Sequence, residues 1–141
     1  GFKQLIWTDA KEHKYIEEAG TMNVMFVIND TLITPSSSET ILRGITKRSV
    51  VEIAKDWGMK VEERQIEVKE IIEAFENGTL TEAFGAGTAA TIAPIASISY
   101  NNQNYVVPSS DSNHFHVKVM KYLSAYKTGQ EFDKFDWMVN I

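Results

Sequence analysis

The chain has 141 residues, 43% hydrophobic and 23% charged, enough for one domain with a real core and without the composition of a disordered segment. Its net charge of −5, with Lys47-Arg48 as its basic pair, argues against a nucleic-acid partner, because counterion release needs clustered lysine and arginine. The absence of cysteine excludes disulfides, thiolate metal sites and a cysteine nucleophile. The longest apolar stretches, Val24 to Ile28 and Ala89 to Ile98, fall far short of the roughly 20 residues that span a bilayer. The first residues read as a strand and not as a leader peptide, so the cytoplasm is the expected compartment.

In chain order, β-branched and apolar residues bounded by turn formers predict strands at Gln4–Trp7, Asn23–Ile28, Leu32–Thr34, Val61–Ile66, Ala89–Ile92, Ile95–Tyr100, Tyr105–Val107 and Trp137–Ile141. Asn29-Asp30 and Asn101-Asn102 supply hairpin turns, since Asn and Asp tolerate positive φ. Between the strands, Val50, Ile53, Ala54 and Trp57 recur at helical spacing and predict a helix over Thr46–Trp57, capped by Thr46 and ended at Gly58. Two further helices are predicted over Lys69–Asn77, stopping at Gly78, and over Ser112–Tyr126. Strands that both form hairpins and alternate with helices imply an α/β fold with a mixed sheet and helices packed on it, in a single domain spanning residues 1–141.

Two loops have the properties of anion receptors. In Leu42-Arg43-Gly44-Ile45-Thr46-Lys47 a glycine precedes a helix start, where unpaired amides and the positive end of the macrodipole point outward. In Phe84-Gly85-Ala86-Gly87-Thr88-Ala89-Ala90 two glycines let the backbone approach a ligand and Thr88 adds a hydroxyl. A third segment, Glu17-Glu18-Ala19-Gly20-Thr21-Met22-Asn23, sets a pair of carboxylates ahead of an apolar strand. Taken singly, these patterns also occur as an ordinary helix cap, a tight turn and a solvated loop. His114 and His116 lie two apart, a spacing that does not share a helix face, so no metal site is expected there.

Together and in this order, Glu-Glu-Ala-Gly-Thr-Met-Asn, Ile-Leu-Arg-Gly-Ile-Thr-Lys-Arg and Phe-Gly-Ala-Gly-Thr-Ala-Ala-Thr-Ile-Ala-Pro-Ile resemble the motif series of fold-type IV pyridoxal-phosphate enzymes, specifically the branched-chain amino-acid aminotransferases. Trp7 to Tyr15 and the closing Asp136-Trp137 are similar to that family too, so the resemblance covers essentially the whole chain. It implies the large C-terminal, cofactor-binding domain, with a mixed sheet forming a pseudo-barrel, in a homodimeric transaminase. Such an enzyme moves amino groups between leucine, isoleucine or valine and 2-oxoglutarate, with pyridoxal 5′-phosphate as cofactor. The resemblance assigns Glu18 to the pyridine nitrogen. It assigns the phosphate cup to backbone groups of Ile45 and Thr46, shaped by Leu42 and Gly44, with Thr88 donating. Substrate contacts fall on Thr21, Thr88 and Ala89, with Met22 beside Thr21.

The sequence departs from the family in three places. Arg43 stands where proline is usual, loosening the turn before Gly44 and adding a charge. Ala90 and Ala93 stand where some relatives carry a redox-sensitive cysteine pair. No lysine here matches the one that links the cofactor covalently, which lies upstream in the family, so this stretch by itself is expected to be catalytically silent. The alternatives within the fold type are a D-amino-acid aminotransferase or an aminodeoxychorismate lyase. Outside it, the alternative is a non-catalytic module that binds the cofactor.

Overall fold

A computed structural model describes residues 6–8, 15–19, 22–36, 45–87, 92–100, 102–108 and 111–127. The elements run β1 (Ile6–Thr8), β2 (Ile16–Ala19), β3 (Met22–Ile28), β4 (Thr31–Thr34), α1 (Ile45–Asp56), β5 (Lys60–Glu63), α2 (Val68–Asn77), β6 (Leu80–Ala86), β7 (Ile92–Pro94), β8 (Ser97–Tyr100), β9 (Gln103–Val106) and α3 (Phe115–Lys127).

The sheet is organised by β3. One of its edges carries β6 antiparallel, from Asn23↔Ala86 to Ile28↔Leu80. The other edge is shared, with β2 pairing at Glu18↔Asn23 and Ala19↔Met22 and β4 pairing from Phe26↔Ile33 to Ile28↔Thr31. Between those partners the Val24 carbonyl would be left over. The buried Thr34 hydroxyl donates to it at 2.9 Å, which removes the penalty of an unpaired buried backbone group. Asn29 and Asp30, at φ 52° and 59°, form the two-residue turn between β3 and β4 whose twist matches the strands.

From β4 the chain crosses through α1 to β5, which lies parallel to β4 with Thr31↔Lys60 through Thr34↔Glu63. Mixed pairing therefore arises from one βαβ unit within an otherwise antiparallel sheet. The expected mixed sheet with helices packed on it is present; among the described residues no ladder joins β5, β1 or β7 to one another, so no closed barrel forms, but a Tyr15↔Glu67 bridge and the Ile16 amide on the Ile66 carbonyl at 2.8 Å tie the entrance of β2 to the segment that follows β5. β8 and β9 form a separate hairpin.

Alternation along β3 and β6 sends residues to two cores. Met25, Val27, Leu32, Phe84, Ala86 and Ile92 pack with Val50, Val51, Ile53 and Ala54 of α1 and with Phe115, Val119 and Leu123 of α3. Val24, Phe26, Ile28, Ile33, Leu80 and Ala83 pack on the opposite face with Ile71 and Ala74 of α2. The hairpin covers α2, with Phe75 and Tyr105 rings 5.4 Å apart. A sheet buried on both faces needs continuous apolar runs, which is why β3 reads Met-Asn-Val-Met-Phe-Val-Ile with one polar interruption.

Both glycine stops act as expected. After α1, Gly58 takes φ 79°, and Met59 and Gly58 amides return to the Ala54 and Lys55 carbonyls at 2.9 and 3.1 Å. After α2, Gly78 takes φ 72°, with the Thr79 and Gly78 amides on Ala74 and Phe75. Thr46 does not cap α1, because the helix begins at Ile45 and Thr46 lies inside its first turn. The strand expected at Trp137–Ile141 falls outside the described residues.

Candidate functional site

The three motif segments meet at one end of the sheet. The register places position 18 in a row running Trp7, Glu18, Asn23, Ala86 and Ile92 across five strands. Positions paired across a ladder lie on one face, so position 18 belongs to the face of Ala86 and Ile92, which is the face packed by α1. Glu17, one step along β2, takes the alternate position. Two interstrand steps of about 4.8 Å separate position 18 from Ala86, so the acid position and the start of the glycine loop stand about 10 Å apart.

The start of α1 reaches the same end because a parallel crossover returns the helix antiparallel to the strand it follows. β4 finishes beside the first residues of β3, and the ammonium group of Lys47, in the first turn of α1, donates to the Pro35 carbonyl at 2.6 Å. Thr46 and Lys47 are both buried, at 6% and 4% exposure, and the first turn contains no acidic residue. Burial lowers the Lys47 pKa from its ordinary value, and Glu63, with a carboxylate oxygen 3.9 Å away, pulls it partly back. A helix start at the carboxyl ends of adjacent parallel strands is where open α/β sheets bind anionic ligands.

Above the glycines lies Met22. A Cβ built on Gly85 would stand 3.1 Å from both Cβ and Sδ of Met22, and one on Gly87 would stand 2.7 Å from its Cε. Both glycines have ordinary negative-φ backbone, so close approach of Met22, and not backbone strain, excludes side chains there. Met22 thereby locks the Glu-Glu-Ala-Gly-Thr-Met-Asn segment onto the glycine segment, on the face opposite to the Asn23–Ala86 row. Of the other sequence-derived positions, Ile45 opens α1 and Ala93 pairs with Gly85 in β7. Thr21, Leu42, Arg43, Gly44, Thr88, Ala89 and Ala90 lie outside the described residues.

Sequence reasoning missed one buried ionic cluster. Glu82, 5% exposed within β6, accepts from the Phe115 and His116 amides at 3.0 and 2.8 Å, and its Oε1 lies 2.5 Å from the His116 ring Nδ1. The carboxylate thus satisfies the first amides of α3 from a neighbouring strand, a capping role given to a distant residue. Burial pushes the Glu82 carboxyl up, but the His116 ring and the two amides outweigh it, leaving its pKa below the ordinary 4.5. The signal was present in the sequence as an acid inside an otherwise apolar and small-residue run. His114 instead contacts Asp111 at 3.0 Å, so the two histidines serve different carboxylates.

The sequence profile of the family described as Amino-transferase class IV matches residues 1–98. A Staphylococcus aureus (strain N315) protein named probable branched-chain-amino-acid aminotransferase is 40% identical over 141 residues, covering 100% of this chain and 39% of its own length. Branched-chain-amino-acid aminotransferase 2 of Bacillus subtilis (strain 168) is 38% identical over the same span, again 39% of that protein. The branched-chain amino acid aminotransferase of Thermobaculum terrenum, solved in its PLP form, matches with a TM-score of 0.80 at 26% identity over 99% of this chain and 42% of that one. The Escherichia coli enzyme matches with a TM-score of 0.78 at 25% identity, over 99% of this chain and 43% of that one. The chain therefore spans about two fifths of the proteins it is similar to. With most of its residues matched by the family profile and its fold shared with solved members, this chain belongs to the class IV aminotransferases.

Proposed function

We propose that this chain is the cofactor-binding domain of a branched-chain amino-acid transaminase that uses pyridoxal 5′-phosphate and exchanges amino groups between leucine, isoleucine or valine and 2-oxoglutarate. The observation that carries the reading is the common end and face shared by position 18, the start of α1 and the end of β6. A coenzyme with a basic nitrogen at one end and a dianion at the other needs an acid and a set of amides facing it across roughly the 10 Å set by two strand spacings. When bound, that coenzyme supplies an electron-accepting ring. Residues of this chain hold it: Glu18 keeps a proton on the ring nitrogen, and amides of Ile45 and Thr46, with Gly44 and Leu42 shaping the turn, face the phosphate alongside Thr88. Thr21, Thr88 and Ala89 orient the substrate.

The covalent linkage and the closure of the pocket belong to parts of the intact protein beyond these residues. The intact protein works as a homodimer in the cytoplasm. The test is formation of glutamate from leucine and 2-oxoglutarate by the intact protein, compared with Glu18→Gln and Glu17→Gln variants. Glu18→Gln lowers turnover by about two orders of magnitude or more, the scale of losing a proton-holding catalytic group, while Glu17→Gln leaves it within a few-fold. Equal effects contradict the assignment, and activity only on D-amino acids or aminodeoxychorismate redirects the substrate reading.

A further inference from the structure

Lys47 sits where a lysine is electrostatically unwelcome. It is 4% exposed, belongs to the first turn of α1, and has no acidic residue beside it in that turn. The positive end of the helix repels it, and burial strips its hydration. Among the described residues the carboxylate paired with it is that of Glu63, 3.9 Å away and 43% exposed, too solvated to offset a buried charge fully. An apolar side chain of similar length, such as methionine, would fill the same volume without that cost.

The position of the amine gives it a use. Its 2.6 Å bond to the Pro35 carbonyl fixes the first turn of α1 to the end of β4, so the charge is held at the helix start and cannot swing into solvent. We propose that Lys47 is a positioning residue for the phosphate end of the site, a fixed buried cation whose charge is compensated when a phosphate dianion docks at the start of α1. This rests on the cofactor site proposed above. The ammonium need not touch the phosphate; it raises the potential at the helix start and holds the Ile45 and Thr46 amides in place.

A merely structural lysine would weaken the protein when removed, whereas a charge held for a ligand weakens the ligand. In the intact protein, Lys47→Met is measured for thermal unfolding without cofactor, and for affinity to inorganic phosphate and to pyridoxal phosphate by calorimetry. The expected result is a roughly tenfold loss of affinity for both anions, the scale of a partly buried helix-end charge, with the unfolding midpoint lowered by no more than the loss of the single bond to the Pro35 carbonyl. Lys47→Arg, which keeps the charge, recovers most of the affinity. Unchanged anion affinity in Lys47→Met overturns the proposal, as does a variant that unfolds at a much lower temperature or fails to fold, because the amine then serves the fold itself. If the unsubstituted protein binds neither anion, the cofactor site fails; if it binds both and Lys47→Met binds equally, only the role of Lys47 fails.

Discussion

Adding one methyl group at Gly85 or at Gly87 separates backbone crowding from side-chain crowding. The new Cβ at Gly87 meets the nearer atom, 2.7 Å against 3.1 Å, yet the smaller penalty is expected there. The atom in the way at Gly87 is the terminal methyl of Met22, which a rotation about its last bonds moves aside at a cost of about 1 kcal/mol. At Gly85 one of the two crowded atoms is the Met22 Cβ, fixed to the first residue of β3, so the paired strands must shift. Such overpacking costs about 1–3 kcal/mol. Against both stands a gain of about 0.5–1 kcal/mol from replacing glycine where φ is ordinary. Gly87→Ala should therefore be close to neutral in stability, and Gly85→Ala destabilising by about 1–2 kcal/mol. Thermal unfolding of the intact protein reads this, at roughly 2–4 °C per kcal/mol. Adding Met22→Ala should make Gly87→Ala stabilising by about 0.5–1 kcal/mol, since only the gain from replacing glycine remains, and should relieve only part of the cost of Gly85→Ala, since the alanine keeps its Cβ. A larger loss at Gly87, or full rescue of Gly85→Ala, would refute the reasoning.

Other expectations follow from single contacts. Glu82→Gln should destabilise by about 2–3 kcal/mol at neutral pH, because two amides of α3 and the His116 ring lose a charged acceptor. As Glu82 titrates below its ordinary 4.5 in the fold, its contribution is present above that pH and lost as pH falls through the lower folded value. Denaturation curves of parent and variant should accordingly converge in acid, and a constant gap down to pH 2 would count against the assignment. Glu70→Gln should cost less than about 1 kcal/mol despite its bidentate contact with Arg64, since both side chains remain over one third exposed. Asp30→Gly should raise stability by about 0.5–1 kcal/mol, because φ 59° suits glycine better than aspartate; a loss measured by denaturation would mean the Asp30 side chain makes a needed contact.

The helices were legible because their stops are local: Gly58 and Gly78 end α1 and α2 through backbone geometry visible in the sequence. The same holds for β3 and β4, joined by Asn29-Asp30. By contrast, β6 escaped because Leu-Thr-Glu-Ala-Phe-Gly-Ala alternates with neither period and contains small residues of low strand propensity. It becomes the central partner of β3 through tertiary burial, with its acid used by a helix 33 residues further on. Glu17 and Glu18 hid β2 in the same way, since a charged pair does not announce a strand. α3 starts at Phe115 and not at Ser112 because its first amides are anchored by Glu82. Motif order identified the family, but the register that puts position 18 level with Asn23 and Ala86 came only from the structure.

The most direct measurement is a crystal structure of the intact protein with pyridoxal phosphate bound. The ring nitrogen should lie about 2.8 Å from the Glu18 carboxylate, with phosphate oxygens on the amides that open α1. A phosphate bound away from that helix start, or a Glu18 side chain directed to the α2 face of the sheet, would contradict the central claim.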